Sequence, residues 1–340
     1  MLPGICLKRR IKVGNVKSEE KKDLKLFISK FSEKIIPFTG LIIISLILTI
    51  ASPYFLTVDN LLAIGVQTTV IAILGIGVTF AIITAGIDLS VGSILGLSGI
   101  VATLTMANGL NMYLAILLGL ITGAFTGFVN GFITAKGKIH PFIATLGMLG
   151  IARGISLLLT GGIPVYQLPP EYDFLGAGRL FGIIPVPLVI LTVVAVLAHI
   201  VLTKTKIGRY TYAIGSNKDA TLLSGINVDK YLMIVYSISG LMAGLAGVVQ
   251  SSRLITGQPT AGTGYELDAI ASAVIGGTSL LGGEGSIIGT IIGALIMGVL
   301  RNGANLLNIS EFVQRIVIGV IIIAAVIYDR KRREKSLSQE

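Results

Sequence analysis

The sequence predicts an all-α polytopic membrane protein, and three observations predict it. Apolar residues make up 53% of the 340 residues, mean hydropathy is +0.88, and only 13% are charged, where a soluble domain carries roughly 25% charge. The apolar residues gather in blocks of about twenty, the length that crosses ~30 Å of hydrocarbon as a helix. The 43 glycines suit helices that approach closely in lipid, where small residues let backbones touch. A membrane β-barrel would instead alternate in weak segments of about ten residues.

Taken in order, the apolar blocks predict about ten spans, at 36–52, 61–85, 89–107, 112–135, 141–160, 184–202, 231–252, 265–281, 286–306 and 312–328. The glycine-rich pairs 61–107 and 265–306 leave room for re-entrant or broken helices. With both termini inside, residues 1–35 form a basic cytoplasmic tail, 86–88, 136–140, 203–230 and 282–285 cytoplasmic loops, and 329–340 a second basic tail. All 16 lysines then lie on the cytoplasmic side, and the basic residues left over are Arg153, Arg179, Arg253, Arg301 and Arg315. That split follows the positive-inside rule. The net charge of +10 therefore sits in flanks and loops, which excludes the basic stripe of a nucleic-acid binder. One cysteine, Cys6, and two histidines are too few for a Cys- or His-based metal cluster.

A pattern recurs about half a chain apart. Gly123-Ala124, Gly127, Asn130-Gly131 and Ile139 to Ile143 return as Gly293-Ala294, Gly298, Asn302-Gly303 and Ile309 to Val313. With five spans in each half the two copies are antiparallel, a 5+5 inverted repeat of the kind that places a transport site between halves.

The loop 203–230 contains a short helix with its own signals. Ser216 or Asn217 can accept from the first free N–H groups. Asp219 suits the positive end of the helix dipole. Ala220, Leu222 and Leu223 give an apolar side, and Gly225 is placed to stop the helix. Two turns are marginal alone in water, so the helix needs a surface: the protein's own loops, or the groove of a soluble ATP-hydrolysing partner.

Within the spans, the polar residues are the candidates for a path or gate. Asp88 sits at the predicted inner edge, as a cap of the next helix or a gate residue. Asp268, with Glu266, opens the eighth span on the other side, as a cap of that helix or as an acceptor on the path. Arg153 lies inside the fifth span, where an arginine pairs with Asp88, Asp268 or a carbonyl, or snorkels outward. Asn130, Asn302 and Asn305 read as interhelical hydrogen-bond partners. The stretch 258–265 reads as an external loop. The chain shows no phosphate loop: its nearest string, Gly131–Lys138, is followed by Ile139 and has the wrong glycine spacing. ATP binding by this chain is therefore not expected. His-Glu-x-x-His and Gly-x-Ser-x-Gly are absent as well, so no enzyme chemistry or cofactor is expected.

The string DATLLSG, Asp219 to Gly225, resembles the Glu-Ala-Ala-x-x-x-Gly motif of ABC importer permeases, with Asp for Glu and Thr221 for the second Ala. TAGIDLSVG (84–92), FIATLGM (142–148), KIGRY (206–210), LSGINV (223–228), QPTAGTGYELDAIA (258–271) and IGGTSLLGG (275–283) resemble the monosaccharide branch of that family, ribose permeases among them. The likeness runs from about residue 40 to 328. It implies a permease homodimer in the bacterial plasma membrane, a separate ATP-binding subunit docked on Asn217, Asp219, Ala220, Leu222, Leu223 and Gly225, an external sugar-binding protein, and a monosaccharide cargo, D-ribose first. Another pentose or hexose keeps the same machine. An ion-coupled secondary carrier leaves the docking helix unexplained.

Overall fold

The computed structural model describes residues 38–337; the expected tail over 1–35 lies outside the described residues. The chain is built from α1 (Phe38–Ala51), α2 (Val58–Ile83), α3 (Val91–Ala107), α4 (Met112–Ala135), α5 (Pro141–Thr160), α6 (Phe174–Ala177), α7 (Val186–Lys204), α8 (Lys206–Ser216), α9 (Lys218–Leu223), α10 (Val228–Leu254), α11 (Tyr265–Ile275), α12 (Ile287–Leu306) and α13 (Glu311–Leu337). A two-residue hairpin, β1 (Arg179–Leu180) with β2 (Ile184–Pro185), precedes α7. Among the described residues, α2, α4, α5, α7, α10 and α12 are long and apolar enough to cross a membrane. The molecule is an all-α polytopic membrane protein.

Local signals set the helix starts. Thr57, Asn111, His140, Asn217, Asn227 and Ser286 each accept a backbone N–H of the first turn. Gly161, at φ 62°, ends α5 in the left-handed region that costs glycine nothing.

The core is the antiparallel pair α2 and α10. From Thr68 to Ile83 α2 is buried on every side, which explains its apolar run without amphipathic bias. Alpha-4 seats on α10 through glycine on glycine. A side chain at Gly127 would strike the Tyr236 carbonyl and the Gly240 backbone, and one at Gly123 would strike Gly240 and Gly244. On the opposite flank α12 packs on α2, where Gly298 meets Thr68.

Two helices are short because they start inside the bundle. Leu95 and Gly99 of α3 lie against Gly247, well along α10. The segment after α10 then runs back along α3: Gly257 touches Thr103, Ala261 touches Gly96, and Gly262 touches Gly92. Stretch 258–265 is thus no plain external loop; it descends beside α3, and α11 starts at its foot. The expected span 265–281 holds a helix of only 11 residues, because Gly276 and Gly277 end it. At the chain's far end α13 continues to Leu337, so residues 329–337 prolong a helix.

The linker 161–185 packs over one end of the bundle. Val165 pairs with Gly257 at 2.8 and 2.9 Å. The Tyr172 hydroxyl bonds Ser251 at 2.6 Å and donates to the Val248 carbonyl at 3.1 Å. Burial pushes that phenol up to about 12. This hairpin end is opposite the end that carries α8 and α9.

Candidate functional site

The expected docking helix is α9, separated by Asn217 alone from a second helix, α8, that the charge-rich pattern concealed. Asn217 caps α9, accepting from the Ala220 N–H at 2.9 Å, and Gly225 at φ 79° follows its end. Thr221, the departure from the family motif, is buried and donates to the Asn217 carbonyl. Leu222 and Leu223 stay 60% and 89% exposed. Two bare leucines side by side on a capped helix form an apolar knob without a partner among the described residues.

The base of the knob is fixed. Gly215 of α8 abuts the Ile83 carbonyl at the end of α2, and that carbonyl accepts from the Gly283 N–H at 2.8 Å. Tyr212 of α8 donates to the Gly285 carbonyl at 2.7 Å, and burial pushes its phenol upward. Gly282 and Gly283, at φ 83° and 77°, let the loop between α11 and α12 press on α8. The helix that precedes α9 is thus braced on the end of α2 and on the 276–286 loop.

Just beyond that contact lies Asp88, fully buried. Ser90, not Asp88, is the residue at the start of α3. One Asp88 oxygen accepts the Ser90 N–H at 3.0 Å and its hydroxyl at 2.6 Å; the other accepts the Ser239 hydroxyl of α10 at 2.8 Å. Asn130 of α4 donates to the Ser90 hydroxyl oxygen at 2.8 Å. Thr145 of α5 donates to the Ile87 carbonyl at 3.0 Å. Three helices thus hold the break between α2 and α3, and among the described residues no cation takes part.

Asp268 is settled differently. It does not cap α11; it pairs with Arg301 of α12 at 2.5 Å while its own side chain is 2% exposed. Arg153 meets neither aspartate. Half-buried, it donates to the Pro259 carbonyl at 2.5 Å and pins the descending segment. Above Asp268 a cavity of about 1120 Å³ opens toward the hairpin end, between α2, α11, α12 and α13. It brings together Asp268, Arg301, Gln67 and Gln250.

These features, a bundle with broken helices, buried acids at the breaks and an exposed knob on a braced loop, are those of a transporter subunit. A family model described as branched-chain amino acid transport system / permease component matches residues 60–326. The chain belongs to that family of permeases. The permease is 48% identical over 298 residues to the ribose import permease protein RbsC of Escherichia coli (strain K12), covering 86% of this chain and 92% of the relative. It is 45% identical over 324 residues to the RbsC protein of Bacillus subtilis (strain 168), covering 95% and 99%. With the D-allose transport system permease protein AlsC of Escherichia coli (strain K12) it shares 43% over 318 residues, covering 93% and 97%. No solved structure matches the chain.

The permease is a transport subunit, not an enzyme, and a multi-pass membrane protein. Of its expected candidates, Asp88 and Asn130 come together through Ser90, while Arg153 and Asp268 stand apart. Ser239, Arg301, Gln250 and Tyr212 were not singled out by sequence reasoning. Arg301 carried a signal, being one of the five arginines outside the cytoplasmic segments. The serine and tyrosine carried none, since their roles depend on which helices meet.

Proposed function

We propose that the chain is the membrane-spanning subunit of an ATP-driven importer that carries D-ribose across the bacterial plasma membrane by alternating access. Ribose is favoured over other monosaccharides because the relatives at 45–48% identity are named for ribose import, those at 43% and 35% for allose and arabinose. An ABC importer of this kind works with an ATP-binding subunit and an external substrate-binding protein. The carrying observation is the knob: capped, braced on glycines, and bare at Leu222 and Leu223. In this reading Asn217, Asp219, Ala220, Leu222, Leu223 and Gly225 dock the ATP-binding subunit, within a cytoplasmic coupling loop 203–230 of a permease domain 36–328. Both termini are cytoplasmic.

The same reading keeps ten spans and the 5+5 inverted repeat. In support, α2 starts at Val58 and α10 at Val228, and α5 at Pro141 and α13 at Glu311, both about 170 residues apart. Contacts mirror this: α4 packs on α10 as α12 packs on α2, and α5 on α3 as α13 on α11. A homodimer is supported by α5, where Gly147, Gly150 and Gly154 face open space, although most helical glycines in the chain touch a neighbour. Asp88 and Asn130 act as a gate latch. Asp268 lines the path, and Arg153 shapes it by holding Pro259. ATP-driven movement of α9 shifts the equilibrium because the partner binds the two states unequally.

The test is labelled ribose uptake into proteoliposomes holding the permease, its ATP-binding subunit and its binding protein. Uptake that requires ATP and binding protein, and ignores imposed H⁺ or Na⁺ gradients, is expected. Uptake by the permease alone on an ion gradient would discard the reading. Replacing Asp219→Arg and Leu223→Asp together is expected to abolish transport and leave insertion intact, since surface changes alter stability by about 0.5 kcal/mol or less. Normal transport by that variant would remove the docking role from α9.

A further inference from the structure

The break between α2 and α3 carries two costs that its hydrogen bonds do not repay. Ala85 stands at φ 61°, in the left-handed region that disfavours a residue with a Cβ. Beside it Tyr236 of α10 is fully buried, and its hydroxyl has no hydrogen-bond partner among the described residues. Buried polar groups are nearly always paired, and strained backbone gathers at parts that switch.

Both features lie on one short stretch. The Tyr236 hydroxyl rests against Gly86, where any side chain would strike it. The Ala81 carbonyl, also beside Gly86, is already taken. It accepts the Thr84 N–H at 3.0 Å, the Thr84 hydroxyl at 2.7 Å and the Gly86 N–H at 3.1 Å. Two residues further along the chain is Asp88. Tyr236 and Ser239 are three positions apart on α10, so they share a face one turn from each other. Ser239 reaches Asp88, whereas Tyr236 stops at Gly86. On its other side the stretch touches the base of the knob, where Ala85 lies against Gly282, and Ile83 against Gly215 and Gly283.

A break that moves must keep its buried acid supplied with donors, because a buried carboxylate that loses one is strongly penalised. The two donors from Ser90 travel with Asp88, being two residues away on the same stretch. The bond from Ser239 crosses to α10, so sliding along α10 breaks that one. Resting on the importer reading, we infer that Tyr236 is the alternate partner of Asp88: the stretch 84–88 is a two-position latch, held at Ser239 here and at Tyr236 in the other state of the transport cycle. The exchange takes a shift along α10 of about 4.5 Å, the rise of three helical residues. Packed elements change register by steps of about this size. The move gives the phenol a partner and releases Ala85 from the left-handed region.

The experiment uses the complete importer in proteoliposomes with labelled ribose. Wild-type uptake is read first, and its absence would overturn the importer reading before any variant is made. Tyr236→Phe removes one oxygen and, in the state seen here, no hydrogen bond. It is expected to lower ATP-driven uptake at least tenfold while the thermal midpoint in detergent holds or rises. Ala85→Gly relieves the backbone of the same state, so uptake is expected to fall several-fold with a raised midpoint. A merely structural role would lower midpoint and uptake together. A third readout reports the state itself: Gln67→Cys on the cavity wall, combined with Cys6→Ser, is labelled by a membrane-impermeant maleimide from the hairpin end. Tyr236→Phe is expected to speed that labelling several-fold and Ser239→Ala to slow it. If Tyr236→Phe imports ribose at the wild-type rate with unchanged labelling, or if its midpoint falls along with its uptake, the alternate partner is overturned while the importer reading stands.

Discussion

Asp88 and Asp268 are both buried acids beside the starts of short helices, yet the chain satisfies them in opposite ways. Asp88 receives three hydroxyl and amide donors and, among the described residues, no cation. Asp268 receives a guanidinium. The neighbourhood explains the difference. Around α3 the seams are backbone-close: Gly99 lies on Gly247, and α4 meets α10 through Gly123, Gly127, Gly240 and Gly244. No long cationic side chain has room there, so serines serve. Around α11 the wall toward α13 stands open, and Arg301 can reach in with 40% of its side chain still exposed. One break is packed with hydroxyls; the other borders an open cavity.

The largest expected effect tests that contrast of packing. Gly127→Leu would drive a side chain into the Tyr236 carbonyl and the Gly240 backbone, neither of which can yield. Overpacking even flexible cores costs about 1–3 kcal/mol, and here the obstacle is main chain, so no assembled protein is expected by size exclusion. Gly319→Leu on α13 meets nothing within 4 Å and is expected to change stability by about 0.5 kcal/mol or less. Equal damage from the two would erase the distinction between seams.

The two acids come next. Arg301→Ala strands Asp268. Breaking a fully buried pair costs about 3–5 kcal/mol, and the partial exposure of Arg301 screens this, so about 1–3 kcal/mol is expected from thermal unfolding in detergent. Ser239→Ala removes one of three donors to Asp88 and is expected to cost about 1 kcal/mol. A larger loss for Ser239→Ala would mean that the hydroxyl cluster, not the ion pair, is the weaker point.

Much of this was legible before folding. Helix existence followed from apolar length, because that signal is local. The cap of α9 and the stop at Gly225 were readable for the same reason. Depth was not. Gln258–Tyr265 is polar and glycine-rich, which reads as a loop at the surface, and only its contacts with Gly92, Gly96 and Thr103 show it descending. Asp88 looked like a cap because a cap and a buried latch share the same sequence of Asp, two residues and a helix. Ser239 lies 151 positions away, and no pattern in one sequence links it to Asp88. Helix α8 was hidden by its charges, since its burial rests on Gly208, Thr211 and Ile214 alone.

The smallest effects separate the two asparagines that occupy matching places in the repeated pattern. Asn302 exchanges two amide hydrogen bonds with Asn60, at 3.0 and 2.7 Å. Asn130 makes one bond, to Ser90, and its carbonyl is unpaired. Side-chain bonds between membrane helices average about 0.6 kcal/mol, so Asn302→Ala is expected to cost about 1 kcal/mol and Asn130→Ala about half of that. Transport should rank them in reverse. Asn302 ties α12 to the start of α2, far from the knob, whereas Asn130 steadies the residue that orients Asp88 at the latch. A thermal midpoint lowered more by Asn302→Ala, with uptake lowered more by Asn130→Ala, would separate bundle glue from gate. The same ranking in both measurements would leave Asn130 as glue and put the gate elsewhere than at Ser90.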